Sequence, residues 1–212
     1  MTPMKNIIAP IETITKGQAG RAADRFMEFC YKNAASLPKD TVQQVLEEEG
    51  DQLSQEMFEA LRKRVEARSS MIVRHVKVNR KQSPVQVIDA TGRVKYINDD
   101  TLASMPSEGA EEVDMYFFKL DKYVSVDDLD REYERCGLVP DPYVQLQANT
   151  DDPAFADEHP NGGQWRDSQG RACYIAFGRD GDGRNVGVRR SSLDWHDDWW
   201  FGGVRKPQTL GQ

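Results

Sequence analysis

The spacing of the apolar residues changes at Ser69-Ser70, and this change constrains the fold of the 212-residue chain more than any other feature. Before it, Ala19, Ala22, Ala23, Phe26, Phe29, Cys30, Ala34 and Leu37 recur three and four residues apart. That spacing lines one face of a helix and predicts a buried stripe. Pro38 stops the helix because it has no amide hydrogen to donate and clashes with the preceding turn. Thr41 is placed to cap a second helix with Val42, Val45 and Leu46 inward, ended by Gly50. A third carries Leu53, Met57, Leu61 and Val65 on one side. Three short helices of this kind predict a small helical unit over residues 1–70.

After the change, β-branched residues and alternation take over. Residues 71–78 read as a strand. Residues 85–89 and 93–97 read as two more, joined as a hairpin by Ala90-Thr91-Gly92. The strand at 113–120 carries Met115, Tyr116, Phe117 and Phe118, which fall on both faces and predict a central position. Ser125 then caps a helix with Val126, Leu129, Tyr133 and Cys136 inward, and Gly137 closes it. Residues 139–163 show no period and read as a long loop. A three-stranded C-terminal segment is expected over 165–204, with turns at Asp167-Ser168-Gln169-Gly170 and Asp180-Gly181-Asp182-Gly183. Gly202 and Gly203 leave room for close neighbours. The fold class that follows is α+β: a helical unit, then a mixed, mainly antiparallel sheet module over 71–206 with one capped helix, and a tail at 207–212.

Chemistry is sparse. The chain has no phosphate-binding glycine loop, dinucleotide fingerprint, nucleophile elbow or paired zinc histidines. An EF-hand reading from Asp180 and Asp182 fails, because Arg184 falls at the fifth position, Asn185 where glycine is needed, and Ser191 where glutamate is needed. A metal-dependent site built on Asp180, Asp182 and His196 is a minor alternative, opposed by strand alternation. No cofactor and no metal ligand set is expected, and a non-enzymatic role is favoured.

Three of the four tryptophans crowd into Trp195-His196-Asp197-Asp198-Trp199-Trp200. Alternation assigns Trp165, Trp199 and Phe201 to the core. Trp195, His196 and Trp200 are left as candidates for a protein-binding surface, since core filling rarely uses every ring of such a run. Charge marks a second candidate. Residues 62–81 carry 8 basic side chains and 1 acidic, while residues 93–160 carry 6 basic and 17 acidic, within a net charge of −7. Arg62, Lys63, Arg64, Arg68, Arg74, Lys77, Arg80 and Lys81 could meet phosphates. Sequence-specific readout by a helix-turn-helix is disfavoured, because Glu56 and Glu59 would face the DNA.

Three widely spaced cysteines and the proline-broken run at residues 7–11 predict a soluble, cytoplasmic protein, of a cell or of a host, with no membrane contact. From residue 71 onward the chain resembles a group of uncharacterised bacterial and mobile-element proteins. The resemblance rests on Met71-Ile72-Val73-Arg74, Asp89-Ala90-Thr91-Gly92-Arg93, Phe117-Phe118-Lys119, Asp152-Pro153-Ala154-Phe155-Ala156-Asp157 and the tryptophan-rich stretch 195–206. It implies a portable module with no assigned activity. The role expected is that of a non-catalytic accessory protein of a phage or mobile element, acting by protein–protein contact. Non-specific nucleic-acid binding through 62–81 is the alternative.

Overall fold

A computed structural model describes residues 14–181, 183–190 and 194–206. The chain divides between Ser69 and Ser70 into a helical unit and a sheet unit. The fold is α+β, and its sheet is mixed.

In the helical unit, α1 (Lys16–Lys32) opens with a capping box. Thr15 Oγ1 accepts from the Gln18 amide and Gln18 Oε1 accepts from the Thr15 amide. A 3₁₀ turn (Ala34–Ser36), α2 (Lys39–Glu48) and α3 (Gly50–Glu66) follow. The expected caps shift: α2 starts behind Pro38, ahead of Thr41, and Gly50 opens α3. The larger correction concerns burial. No residue of α1 or α2 is buried, and Phe29 is 66% exposed. Three short helices with one apolar face each present more apolar surface than so small a unit can enclose.

The sheet unit contains β1 (Met71–Lys77), α4 (Pro84–Ala90), β2 (Val94–Ile97), α5 (Asp99–Leu102), β3 (Glu112–Lys119), α6 (Val126–Cys136), β4 (Leu138–Val139), α7 (Pro142–Asp151), α8 (Phe155–Glu158), β5 (Asn161–Arg166), β6 (Ala172–Asp180), β7 (Gly183–Arg190) and β8 (Trp200–Arg205). The sheet runs β1-β3-β8-β5-β6-β7-β2, with β4 also against β8. Most pairs are antiparallel, while β5–β8 and β2–β7 are parallel. β3 lies between β1 and β8, the central place its two apolar faces require.

Alternation sends side chains to two cores. Met115 and Phe117 of β3, with Cys173, Ile175 and Phe177 of β6, face α4, α7 and α8. Tyr116, Phe118 and Phe201 face α6 through Leu129, Tyr133 and Cys136. Ser125 caps α6 by accepting from the Asp128 amide, and Gly137 ends it at φ 66°, where a side chain would be strained.

Three expectations are corrected. Residues 84–90 are helical: Ser83 and Gln86 form a capping box around Pro84, and this local signal outweighs the apparent alternation. No hairpin joins 85–89 to 93–97, because β2 pairs with the distant β7. The expected loop at 139–163 holds α7, α8 and the start of β5. Asp141 and Pro142 start α7, whose Tyr143, Val144, Gln145, Leu146, Ala148 and Asn149 are all buried. A helix enclosed on every side shows no apolar period. The C-terminal segment comprises the four strands β5 to β8, one more than expected.

Polar groups bind α7 to the sheet. Asn161 Oδ1 accepts from Gln145 Nε2 at 2.9 Å and Asn149 Nδ2 at 3.0 Å, and Asn161 Nδ2 donates to Asn149 Oδ1 at 3.1 Å. Gly163 and Gly202 make the close approach possible. A Cβ at Gly163 would lie 2.5 Å from Gln145 Oε1, and one at Gly202 would collide with Met115.

Candidate partner-binding surfaces

The tryptophan run is core. Trp195 is 8% exposed and Trp200 5%. The Trp195 backbone exchanges hydrogen bonds with Val124, and its ring lies 4.9 Å from Phe201 and 5.3 Å from Tyr174. Its Nε1 donates to Gln164 Oε1 at 3.2 Å. Trp200 opens β8 and faces the opposite core, edge-on to His159 at 5.1 Å. These two side chains are therefore not a surface. Trp165 and Phe201 are core as expected, whereas Trp195 and Trp200 are buried too and Trp199 is the half-buried ring of the run. The cause is a turn between residues 195 and 200, which breaks strand alternation and lets neighbouring rings enter different layers. His196 remains exposed, its Nδ1 3.0 Å from the exposed Tyr123 hydroxyl.

The metal alternative is not assembled by what is described. Asp182 lies outside the described residues. Asp180 accepts from Asn185 Nδ2 at the tip of the β6–β7 hairpin, while His196 bonds Tyr123. Among the described residues no three His, Cys, Asp or Glu side chains are grouped to hold a metal.

The basic segment is divided between the two units. Several of its cations already have carboxylates. Arg62 lies 2.5 Å from Glu59. Arg74 sits over the Phe155 ring and 3.8 Å from Asp152. Lys77 lies 3.3 Å from Glu112, and Arg80 is buried against Asp141. Lys63, Arg64, Arg68 and Lys81 are exposed. A phosphate would have to displace the existing partners of the first four, which lowers the gain from binding it.

His75 marks the β1 edge. Its Nδ1 is 3.0 Å from Asp114 Oδ1 and its Nε2 2.9 Å from Glu112 Oε1, both on β3. Those two hydrogen bonds, Asp114 first, raise the imidazole above its usual 6.5. The folded state thus holds the proton more tightly than the unfolded chain. This stabilisation is fully present below 6.5 and is lost as pH rises through the raised folded value. Urea unfolding of His75→Gln is expected to show a deficit against wild type at pH 5.5 that closes by pH 9. An equal deficit at both pH values would mean that the imidazole acts by packing alone.

The sheet unit has a cleft of about 450 Å³ between Gly109, Val113, Tyr116, Pro140 and Val204. Two of its charged groups are engaged from within: Asp141 accepts from Arg80, and Arg205 Nε donates to the Tyr116 hydroxyl at 3.0 Å. The helical unit has an apolar groove of about 540 Å³, walled by Phe26, Met27, Cys30, Leu37, Val42, Val45, Leu46 and Leu53. Most of these residues belong to the stripes expected to be buried. Their excess over what the unit can enclose was the signal in the sequence. Among the described residues no helix is long and apolar enough to cross a membrane.

No protein-family model matches the chain, and no curated protein or solved structure matches it at a significant level.

Proposed function

We propose that the protein is a non-catalytic interaction protein that works by protein–protein contact, with the helical unit as its contact surface. The observation that carries this is the open apolar groove between α1, α2 and the start of α3. A groove with that apolar lining suits the apolar face of a partner helix. The setting proposed is the cytoplasm of a cell carrying a phage or mobile element, and the resemblance of 71–206 to proteins of that origin supports it. Nucleic-acid binding is the weaker reading, because Arg62, Arg74, Lys77 and Arg80 are already engaged within the chain.

A photo-crosslinking residue in place of Val42, in the groove wall, tests this in cells. One defined heterologous protein is expected to crosslink. Adding Leu46→Glu should cut that product by about tenfold or more, because burying a leucine is worth roughly 1.5–3 kcal/mol. Helical content measured by circular dichroism should stay unchanged. No product, or a product indifferent to Leu46→Glu, would sink the proposal.

A further inference from the structure

We infer that Arg93 and Arg184 bind a small tetrahedral oxyanion of the phosphate class in the sheet unit. Arg93 lies just before β2 and is 6% exposed. Its guanidinium sits over the Phe177 ring at 5.5 Å, and its Nη2 donates to the Pro153 carbonyl at 2.9 Å. Its Nε and Nη1 are buried and have no partner among the described residues. Cationic N–H groups shut away from water without an acceptor are destabilising, and in a folded protein they mark the place of an ordered water or an ion. The site lies outside the helical groove and does not depend on the partner-binding reading.

Two features select an anion over a water. The first is charge. Arg74, Arg93, Arg179 and Arg184 share the carboxylates of Asp152 and Asp157. Asp157 accepts from Arg184 Nε at 3.0 Å, Arg184 Nη2 at 2.8 Å and Arg179 Nη1 at 3.2 Å, while Asp152 lies 3.8 Å from Arg74. Neither aspartate hydrogen-bonds Arg93. Burial, and after it the Arg184 charge, hold the Arg93 guanidinium below its usual range. A water would satisfy the free N–H groups and leave the repulsion between the two arginines, whereas an anion relieves both. The second feature is the donor set. Nη2 of Arg93 has two hydrogens, of which Pro153 takes one. Whichever it takes, one edge of the guanidinium keeps two parallel N–H groups, the fork that matches two oxygens of an oxyanion. Arg184, on β7, makes no hydrogen bond through Nη1 among the described residues and offers a further donor. A tetrahedral ion has a third oxygen for it, and a carboxylate does not. Arg184 and Arg179 are 37% and 58% exposed, so the ion reaches Arg93 past their side chains. The enclosure of Arg93 suits a free ion better than a phosphate carried on a larger ligand.

Calorimetric titration and thermal unfolding of the full chain test the site, with inorganic phosphate as the probe and chloride at matched ionic strength as the control. One phosphate per chain is expected to bind, and about 10 mM should raise the melting temperature by about 3 °C or more. Arg93→Met, which keeps an unbranched side chain over Phe177, should abolish both effects. Arg184→Gln should weaken binding about tenfold, the loss of one hydrogen bond to a charged group. That arm remains informative if Arg93→Met fails to fold. Glycerol phosphate should not compete with phosphate. No binding above the chloride control overturns the inference and leaves Arg93 to a buried water. Binding unchanged in Arg184→Gln, or in a folded Arg93→Met, overturns it too, and so does glycerol phosphate binding as tightly as phosphate. These variants leave the helical unit untouched, so the crosslink at Val42 should persist in them, and its loss in the wild type would sink the groove reading alone.

Discussion

Arg80→Ala is expected to destabilise the sheet unit by about 3–5 kcal/mol, the range for removing one partner of a buried ion pair. The Arg80 guanidinium grips Asp141 with both nitrogens, at 2.6 and 3.1 Å, and donates to the carbonyls of Ala110 and Ser107. The two side chains are 9% and 8% exposed. An exposed pair would be worth about 0–1 kcal/mol, because water solvates both ions nearly as well when they are apart. Here Asp141 would be left without its cation beside the first turn of α7, where it also accepts from the Val144 amide. The loop at 107–110 would lose its tie to the end of β1 in the same step. Arg80→Lys should recover only part of the loss, because an ammonium cannot span both carboxylate oxygens and two carbonyls. Urea unfolding with the slope held constant measures both variants. A change under 1 kcal/mol in Arg80→Ala would show that water substitutes for the pair and that the site is open.

Trp195→Ala is expected to cost about 3–5 kcal/mol, the range for truncating a large aromatic side chain in a core. The ring fills the layer between α6 and the sheet, in edge contacts with Tyr174, Trp199 and Phe201. Its loss also strands Gln164 Oε1, which is buried. His196→Ala, one residue away and exposed, should change stability by no more than about 0.5 kcal/mol. The contrast between neighbours is the test. If Trp195→Ala unfolds like wild type, the ring is not structural and the tryptophan run returns as a surface candidate.

The readable parts of the fold are those with a local cause. α6 carries its own start and stop in Ser125 and Gly137, so its limits follow from the chain alone. The two faces of β3 signal a central strand, and Asp-rich turns signal the β5–β6 and β6–β7 hairpins. The misread parts have non-local causes. α7 is buried all round and has no period to detect. β2 finds its partner in β7, about ninety residues away. α4 was readable and was outweighed: the Ser83 capping box was the better guide than the spacing of Val85 and Val87.

The candidate site follows the same division. The eight cations of 62–81 are visible in the sequence, and Asp152, Glu112 and Asp141 are visible as acids. That they meet is decided by β1 lying beside β3 and by α7 crossing beneath the Arg80 loop. A ring in the sequence is equally a core ring or a binding ring, since both need large apolar area. By itself the sequence determined the class of the fold, the change from helix to sheet at Ser69-Ser70 and the elements with local caps, because capping and periodicity act within a few residues. Only the tertiary structure decided which apolar faces are covered. Burial depends on what packs opposite, so Trp195 and Trp200 became core while the stripes of α1 and α3 were left open.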